Sequence, residues 1–432
     1  MQNNNSSSDL SLNLNVRGMP LSATLYINEL SNKLKQQGKK VYKFGLGQSP
    51  FPVPKVVVDE LRTNAFQKDY LEVRGLKPLR EAVAGYHSRR NDIECSADNV
   101  LIGPGSKELM FLLQFVYYGE LVIPTPSWVS YAPQAKIIGR QIAWIKTKEE
   151  NKWRLLPEEL HKICENDHYK PRIVILNYPS NPTGVSYSCE ELQELADVAR
   201  RHRVILLSDE IYGELTFKGN HCSIASYYPE GTIISGGISK WCGAGGWRLG
   251  TFTFPESLSS LMNGMAAVAS ETFTSTSAPI QYAAVKAFSG GIEIERYLWN
   301  ARKILKTLGI QIHDLLLNNG IECPEPDGAF YLFINFSNYS DKLKSKNILT
   351  SLELTTNLLE NTGVALLPGS VFGRPEEEYT ARLSYVDFDG ARALAAAENV
   401  PAESPLPENF MDTYCSHLLE GTKAIVAWAK SL

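Results

Sequence analysis

Between residues 99 and 254, short runs of Val, Ile and Leu keep returning, each separated from the next by a stretch of helical period. The runs lie at 99–102, 121–123, 172–176, 204–207, 232–234 and 251–254. They are too short for core helices and lack the apolar–polar alternation of a half-wet sheet, so they predict strands covered on both faces. The stretch 189–203 shows the intervening pattern, with Leu192, Leu195, Ala196 and Ala199 on one helix face. Strands alternating with helices predict an α/β fold around a largely parallel sheet.

At 432 residues the chain exceeds what one core usually organises, which predicts two lobes. We expect a flexible arm over 1–16, a large lobe over 55–320, and a smaller α+β lobe built from 17–54 together with 321–432. The smaller lobe should carry a strand and turn at 328–335. The Ala-, Glu- and Pro-rich stretch 387–410 fits no element and is expected to be a surface insertion without chemistry. Lys plus Arg is 43 against 47 for Asp plus Glu, and the net charge of −4 disfavours nucleic-acid and anionic-membrane partners. No apolar run reaches bilayer length, and the first residues lack the basic and apolar regions of a signal peptide. Seven scattered cysteines without a C-x-x-C pair read as reduced thiols, which points to the cytoplasm.

Four local strings carry chemistry. Ile102-Gly103-Pro104-Gly105-Ser106-Lys107 leads a strand through glycines into a helix whose free N–H groups attract phosphate. A serine there also serves as an ordinary N-cap, and the glycine spacing of a dinucleotide fingerprint is incomplete. Asn177 to Gly184 is a Pro/Asn/Gly turn after a buried strand, at the end where open α/β sheets place ligands. Ser208-Asp209-Glu210-Ile211-Tyr212 sets an acid at another strand end, where burial is awkward unless the acid faces a cation. In the last string, Lys240 and Arg248 share a glycine-dense loop. A lysine partly desolvated or near other cations becomes nucleophilic towards carbonyls, and a guanidinium suits a two-pronged grip on phosphate.

Taken in order, S-N-P-T-G at 180–184, S-D-E-I-Y at 208–212, and S-K followed by G-W-R-L-G at 239–250 resemble the fold-type I aminotransferases of class I and II. KFGLGQSPF at 43–51, the Y-x-x-x-x-G-x-x-x-L-R pattern at 70–80, PSWVSY at 126–131, GAFY at 328–331, PGSVF at 368–372 and RLSY at 382–385 extend the resemblance over residues 20–386. It implies the pyridoxal-phosphate (PLP) transferase fold, with a large domain around a mostly parallel sheet and a smaller α+β domain. It also implies PLP as cofactor, an amino acid and a 2-oxo acid as substrates, and a homodimer with shared active sites.

Residue by residue, the resemblance makes Lys240 the Schiff-base lysine and the acid/base at the substrate Cα, and Asp209 the partner of the pyridine nitrogen. Asn181 and Tyr212 match hydrogen-bond donors to the cofactor's ring oxygen, and Trp128 matches the ring stacked on the pyridine. Phosphate contacts fall to Ser106, Lys107, Arg248 and, as a further candidate, Ser239, with Tyr70 reaching in from the neighbouring subunit. Arg382 matches the arginine that grips the α-carboxylate, with Gly47 and Asn181 beside it; by itself it also reads as a surface ion pair. S-A-T at 22–24 and G-S-K at 105–107 resemble the bacterial-type aspartate aminotransferases, in which the residues matching Thr24 and Lys107 recognise a distal carboxylate. Lys107 also reads as a solvated lysine at a helix start.

The run Gly47-Gln48-Ser49-Pro50-Phe51 and the bulky Trp241 depart from the family pattern and concern the pocket's shape. Aspartate or glutamate is the first choice of amino donor. The same Lys, Asp and Arg serve elimination, decarboxylation or oxidation at Cα, which is the rival reading. A PLP-sensing regulator would need a DNA-binding domain, and only about sixteen polar residues precede the enzyme-like region.

Overall fold

The computed structural model of the chain describes residues 12–19, 21, 23–165, 167, 169–401 and 404–432. Its main layer is a seven-stranded sheet of β1 (Val100–Gly103), β2 (Glu120–Thr125), β3 (Ile142–Lys146), β4 (Arg172–Asn177), β5 (Ile205–Asp209), β6 (Thr232–Gly237) and β7 (Gly250–Thr253), in the order β1-β7-β6-β5-β4-β2-β3. Strands β3, β2, β4, β5 and β6 run parallel, and β7 lies antiparallel between β6 and β1. Covering on both faces is visible within β4. Ile173 and Ile175 join one apolar cluster with Leu101 and Leu109, while Val174 and Leu176 join another with Leu192 and Leu195. Successive strand residues point to opposite faces, so a strand apolar at every position belongs between two layers of helix.

The helix Cys189–Arg201 in one of those layers starts where its sequence can satisfy its own free N–H groups. Ser188 Oγ accepts from the Glu191 amide at 3.2 Å, and Glu191 Oε2 accepts from the Ser188 amide at 2.8 Å. This reciprocal box ends the preceding turn and begins the helix.

A second sheet of β8 (Tyr331–Asn335), β9 (Leu367–Pro368) and β10 (Thr380–Ser384) is antiparallel, in the order β8-β10-β9. The segment after helix Ala23–Gln36 is stitched to this part of the chain. Tyr42 bridges Val364, the Lys43 amide donates to Asp387 Oδ2 at 2.7 Å, and the Ser384 amide donates to the Phe44 carbonyl at 2.8 Å.

Three expectations need correction. Strand β3 is absent from the list of apolar runs because it is the sheet's edge, where Trp144 and Lys146 are exposed and the buried signal reduces to Ile145. The stretch 387–410 is no loose insertion. Asp389 caps the helix Gly390–Glu398, whose Ala393, Leu394 and Ala397 are buried, and that helix packs on the long helix Ile292–Leu317. It is short, and its buried face is mostly alanine, which makes it easy to pass over in a Pro- and Glu-rich stretch. Of the expected arm, residues 1–11 lie outside the described residues, and from residue 12 the chain turns, with Asn15 Nδ2 donating to the Ile137 carbonyl at 3.3 Å. Finally, Cys189 and Cys222 form a disulfide, so the reading of seven reduced thiols fails for these two. The pair joins a helix start to a loop 33 residues away, a relation no short spacing reveals.

Leu394→Ala tests the corrected segment. Removing this buried side chain should cost about 2–4 kcal/mol and lower the urea midpoint, whereas an insertion free of the core would leave the midpoint unchanged.

Candidate active site

Register alone gathers the chemical strings at one sheet edge. β4 and β5 end side by side, with Asn177 opposite Asp209, and Asp209 opposite Ser235 of β6. Because β7 runs the other way, its first residue Gly250 pairs with Gly103 at the end of β1 and with Gly237 at the end of β6. The glycine loop, the turn after Asn177, Asp209, the Lys240 loop and Arg248 therefore meet at the carboxyl end of the sheet.

At this edge the helix Ser106–Val116 begins directly after Gly105, whose φ of 98° is open to glycine and strained for other residues. Ser106 is the first helical residue, so Gly105 and not Ser106 occupies the cap position. A methyl group on Gly250 would overlap the Ser106 amide, and one on Gly105 would overlap the Arg248 guanidinium. Bare backbone thus lets Arg248 lie against a helix start whose N–H groups lack partners within the helix, a cradle for an anion. Ser239 is half-buried in the adjoining loop. Lys107 reaches over Trp128, with Nζ 5.4 Å from the ring centroid, and burial followed by the nearby Arg248 charge lowers its pKa. Its side chain still meets solvent, so it is neither an ordinary surface lysine nor a buried one.

Asp209 is 3% exposed. Oδ2 accepts from the Tyr131 hydroxyl at 2.5 Å and Oδ1 from Ser235 Oγ at 3.2 Å. Burial nevertheless pushes its carboxyl up to about 6 against these hydrogen bonds. Among the described residues no cation pairs with it. Tyr131 was not singled out in the sequence, although it closes the PSWVSY string, because a tyrosine there reads as core. The half-buried Trp128 meets Tyr131 edge-on at 5.2 Å, so the indole, the phenol and the carboxyl form one wall.

Opposite this wall, Lys240 Nζ donates to the Gly47 carbonyl at 2.7 Å and lies 5.6 Å from the Tyr212 ring centroid. Burial lowers its pKa to about 8, helped by the charges of Arg382, Arg248 and Lys107 and opposed by Asp209.

Arg382 is 1% exposed on the middle strand of the small sheet. Its Nη1 donates to Asn181 Oδ1 at 2.9 Å and its Nη2 to the Gly45 carbonyl at 2.6 Å, while Nε has no partner. The guanidinium lies over the rings of Tyr331 and Phe372, at 4.8 and 5.2 Å. Among the described residues no carboxylate pairs with it, which removes the surface-ion-pair reading. The buried Tyr212 hydroxyl sits 2.8 Å from that of Tyr331, a residue the sequence showed only as part of GAFY.

Contacts thus gather Lys240, Asp209, Asn181, Tyr212, Arg382, Gly47, Trp128, Ser106, Lys107 and Arg248, with Ser239 beside Lys240, into one candidate cleft. One candidate stands apart from it, and the side chain of another is not described. Tyr70 is 88% exposed in its own chain, and Thr24 lies in the helix Ala23–Gln36 with its side chain outside the described residues.

The donor set fits a phosphorylated pyridinium aldehyde. It offers a cradle of N–H groups and a guanidinium for the phosphate, a buried carboxyl lacking a cation for the ring nitrogen, and an amine of lowered pKa for the aldehyde. Arg382 is then left over for a carboxylate.

The profile of the family described as aminotransferase class I and II matches residues 39–397. An aspartate aminotransferase from Geobacillus stearothermophilus is 34% identical over 379 residues, spanning 86% of this chain and 93% of its own. An asparagine–oxo-acid transaminase from Streptococcus mutans is 33% identical, spanning 87% and 94%. The structure of a Thermus thermophilus aspartate aminotransferase with maleate superposes with a TM-score of 0.80 at 27% identity, covering 90% of this chain and 98% of that one.

The amine at the centre of the cleft gives a direct check. In cofactor-free protein Lys240 should react with trinitrobenzenesulfonate along a pH profile centred near 8, because a lowered pKa leaves the amine neutral above that pH. A profile centred near the ordinary lysine value of about 10.4, or one that survives Lys240→Ala, contradicts the geometry.

Proposed function

Since the chain belongs to the class I and II aminotransferase family and is a transaminase, we propose that it works with PLP held on Lys240 and takes aspartate or glutamate as first amino donor. The observation that carries this reading is the pair of buried charges without counter-ions, Asp209 and Arg382, on either side of one amine of lowered pKa. When bound, PLP supplies an electron sink for the pair left on the substrate's Cα.

The chain's own residues do the rest. Asp209, steadied by Tyr131 and Ser235, holds a proton on the ring nitrogen. Asn181 and Tyr212 would donate to the ring oxygen, and Trp128 would supply an aromatic surface for the ring. The backbone N–H groups of Ser106 and Lys107, with Ser239 and Arg248, receive the phosphate, which leaves the Lys107 side chain free. Arg382 grips the α-carboxylate with help from Asn181 and the Gly47 backbone, which fixes the Cα–H bond towards Lys240. Nζ of Lys240 then takes the Cα proton, a transfer suited to an amine whose pKa lies near neutrality.

The exposed Tyr70 completes the partner's phosphate site, making a homodimer with shared active sites the active unit. Segments 17–54 and 321–432 form one lobe closing on 55–320, an arrangement supported by the bonds from Tyr42, Lys43 and Phe44 to the C-terminal part. Among the described residues no helix is long and apolar enough to cross a membrane, and we place the enzyme in the cytoplasm.

For the donor, Lys107 and Thr24 select a distal carboxylate. The similar Geobacillus enzyme is named for aspartate, and the Thermus structure holds maleate, a dicarboxylate. The relative named for asparagine makes that amide the necessary comparison donor.

Borohydride should fix the cofactor on the peptide containing Lys240, and labelling of another lysine overturns the assignment. Lys240→Ala should bind PLP without a covalent bond and lose about 10²–10⁴-fold in transamination rate. Donor choice is read from a second variant. Lys107→Ala should lower kcat/KM for aspartate about ten- to a hundredfold while alanine and phenylalanine change little, as expected for loss of one charge-assisted contact. An equal fall for all donors would assign Lys107 to the cofactor, and Arg382→Ala, which should weaken every amino acid alike, supplies the control.

A further inference from the structure

Tyr331 has no part in the roles assigned above, yet three of their residues converge on it. It opens β8 and is fully buried. Its hydroxyl lies 2.8 Å from that of Tyr212, its ring lies 4.8 Å under the Arg382 guanidinium, and a methyl group on Gly47 would overlap its oxygen. Among the described residues its hydroxyl has no hydrogen-bond partner except Tyr212.

A phenol has one hydrogen to give and two lone pairs with which to accept. The contact between Tyr212 and Tyr331 uses one hydrogen, and either oxygen can supply it. Once Tyr212 turns its hydrogen to an acceptor in the cleft, Tyr331 has to fill the contact with its own. Accepting that bond polarises the Tyr212 hydroxyl and makes it a stronger donor. The charged groups around the pair are Arg382 above Tyr331, with Lys240 and Asp209 near Tyr212. None of them takes the Tyr331 hydrogen.

We propose that Tyr331 is a positioning residue of the reaction, whose hydroxyl donates to Tyr212 and so directs the Tyr212 hydroxyl at the cofactor's ring oxygen. This rests on the reading that PLP is held on Lys240. A hydrogen bond to the ring oxygen withdraws electron density that would otherwise stabilise the proton on the neighbouring Lys240 linkage. Weakening the bond should therefore make that proton harder to remove.

The test is an absorbance titration of the holoenzyme, following loss of that proton. Tyr331→Phe keeps the ring and removes the hydroxyl, and should raise the midpoint by about 0.3–1 pH unit, less than Tyr212→Phe does. In the Tyr212→Phe background the same substitution should add nothing, because its route is gone. Incorporation of 3-fluorotyrosine at 331, a more acidic phenol, should move the midpoint down, a sign that mere loosening of the pocket does not produce. An unmoved midpoint in Tyr331→Phe, full additivity with Tyr212→Phe, or an upward shift with the fluorinated residue overturns the proposal. If the wild-type protein shows no titrating linkage on Lys240, it is the underlying PLP reading that fails.

Discussion

Two charges of opposite sign, Asp209 and Arg382, are held out of water without an ion-pair partner among the described residues, and the rest of the architecture follows from keeping them so. Desolvating either group costs several kcal/mol unless hydrogen bonds and an opposite charge compensate. Both have the hydrogen bonds: Tyr131 and Ser235 for the acid, Asn181 and the Gly45 carbonyl for the base. Neither has the opposite charge. They are also kept from neutralising each other, one at the end of a strand in the large sheet and the other in the middle of the small one. A molecule with cationic and anionic ends supplies what each lacks, and the amine of Lys240 stands between them, its charge disfavoured by the same dryness.

Glycine governs how closely the surrounding backbone approaches. At Gly250 and Gly105 the absent side chain is what lets an arginine and a helix start share one anion site, and at Gly47 it makes room for a tyrosine hydroxyl. Each is a limit on volume set by a particular neighbour, which is why these glycines lie at the cleft and not simply in turns.

Much of this was legible in the sequence where the cause is local. Asp209 ends a buried strand, Lys240 and Arg248 sit in the loop between two others, and continuous apolar runs reveal strands with two covered faces. Relations set by tertiary packing were not legible. Tyr131 and Tyr331 look like core aromatics until their hydroxyls are seen to meet Asp209 and Tyr212. Strand β3 hides because an edge strand needs only one buried residue in five. The helix Gly390–Glu398 hides because it is only 9 residues long, its buried face is made largely of alanine, and prolines follow at 401, 405 and 407. Tyr70 is named by resemblance alone, and nothing in a single chain brings its exposed side chain to the cleft.

The short segment from Gly45 to Gly47 lends one carbonyl to Arg382 and another to Lys240. One strip of main chain thus ties a strand of the small sheet to the loop that follows β6. Any shift of that strip would carry both cations with it, so their spacing is set by backbone and not by two independent side-chain choices.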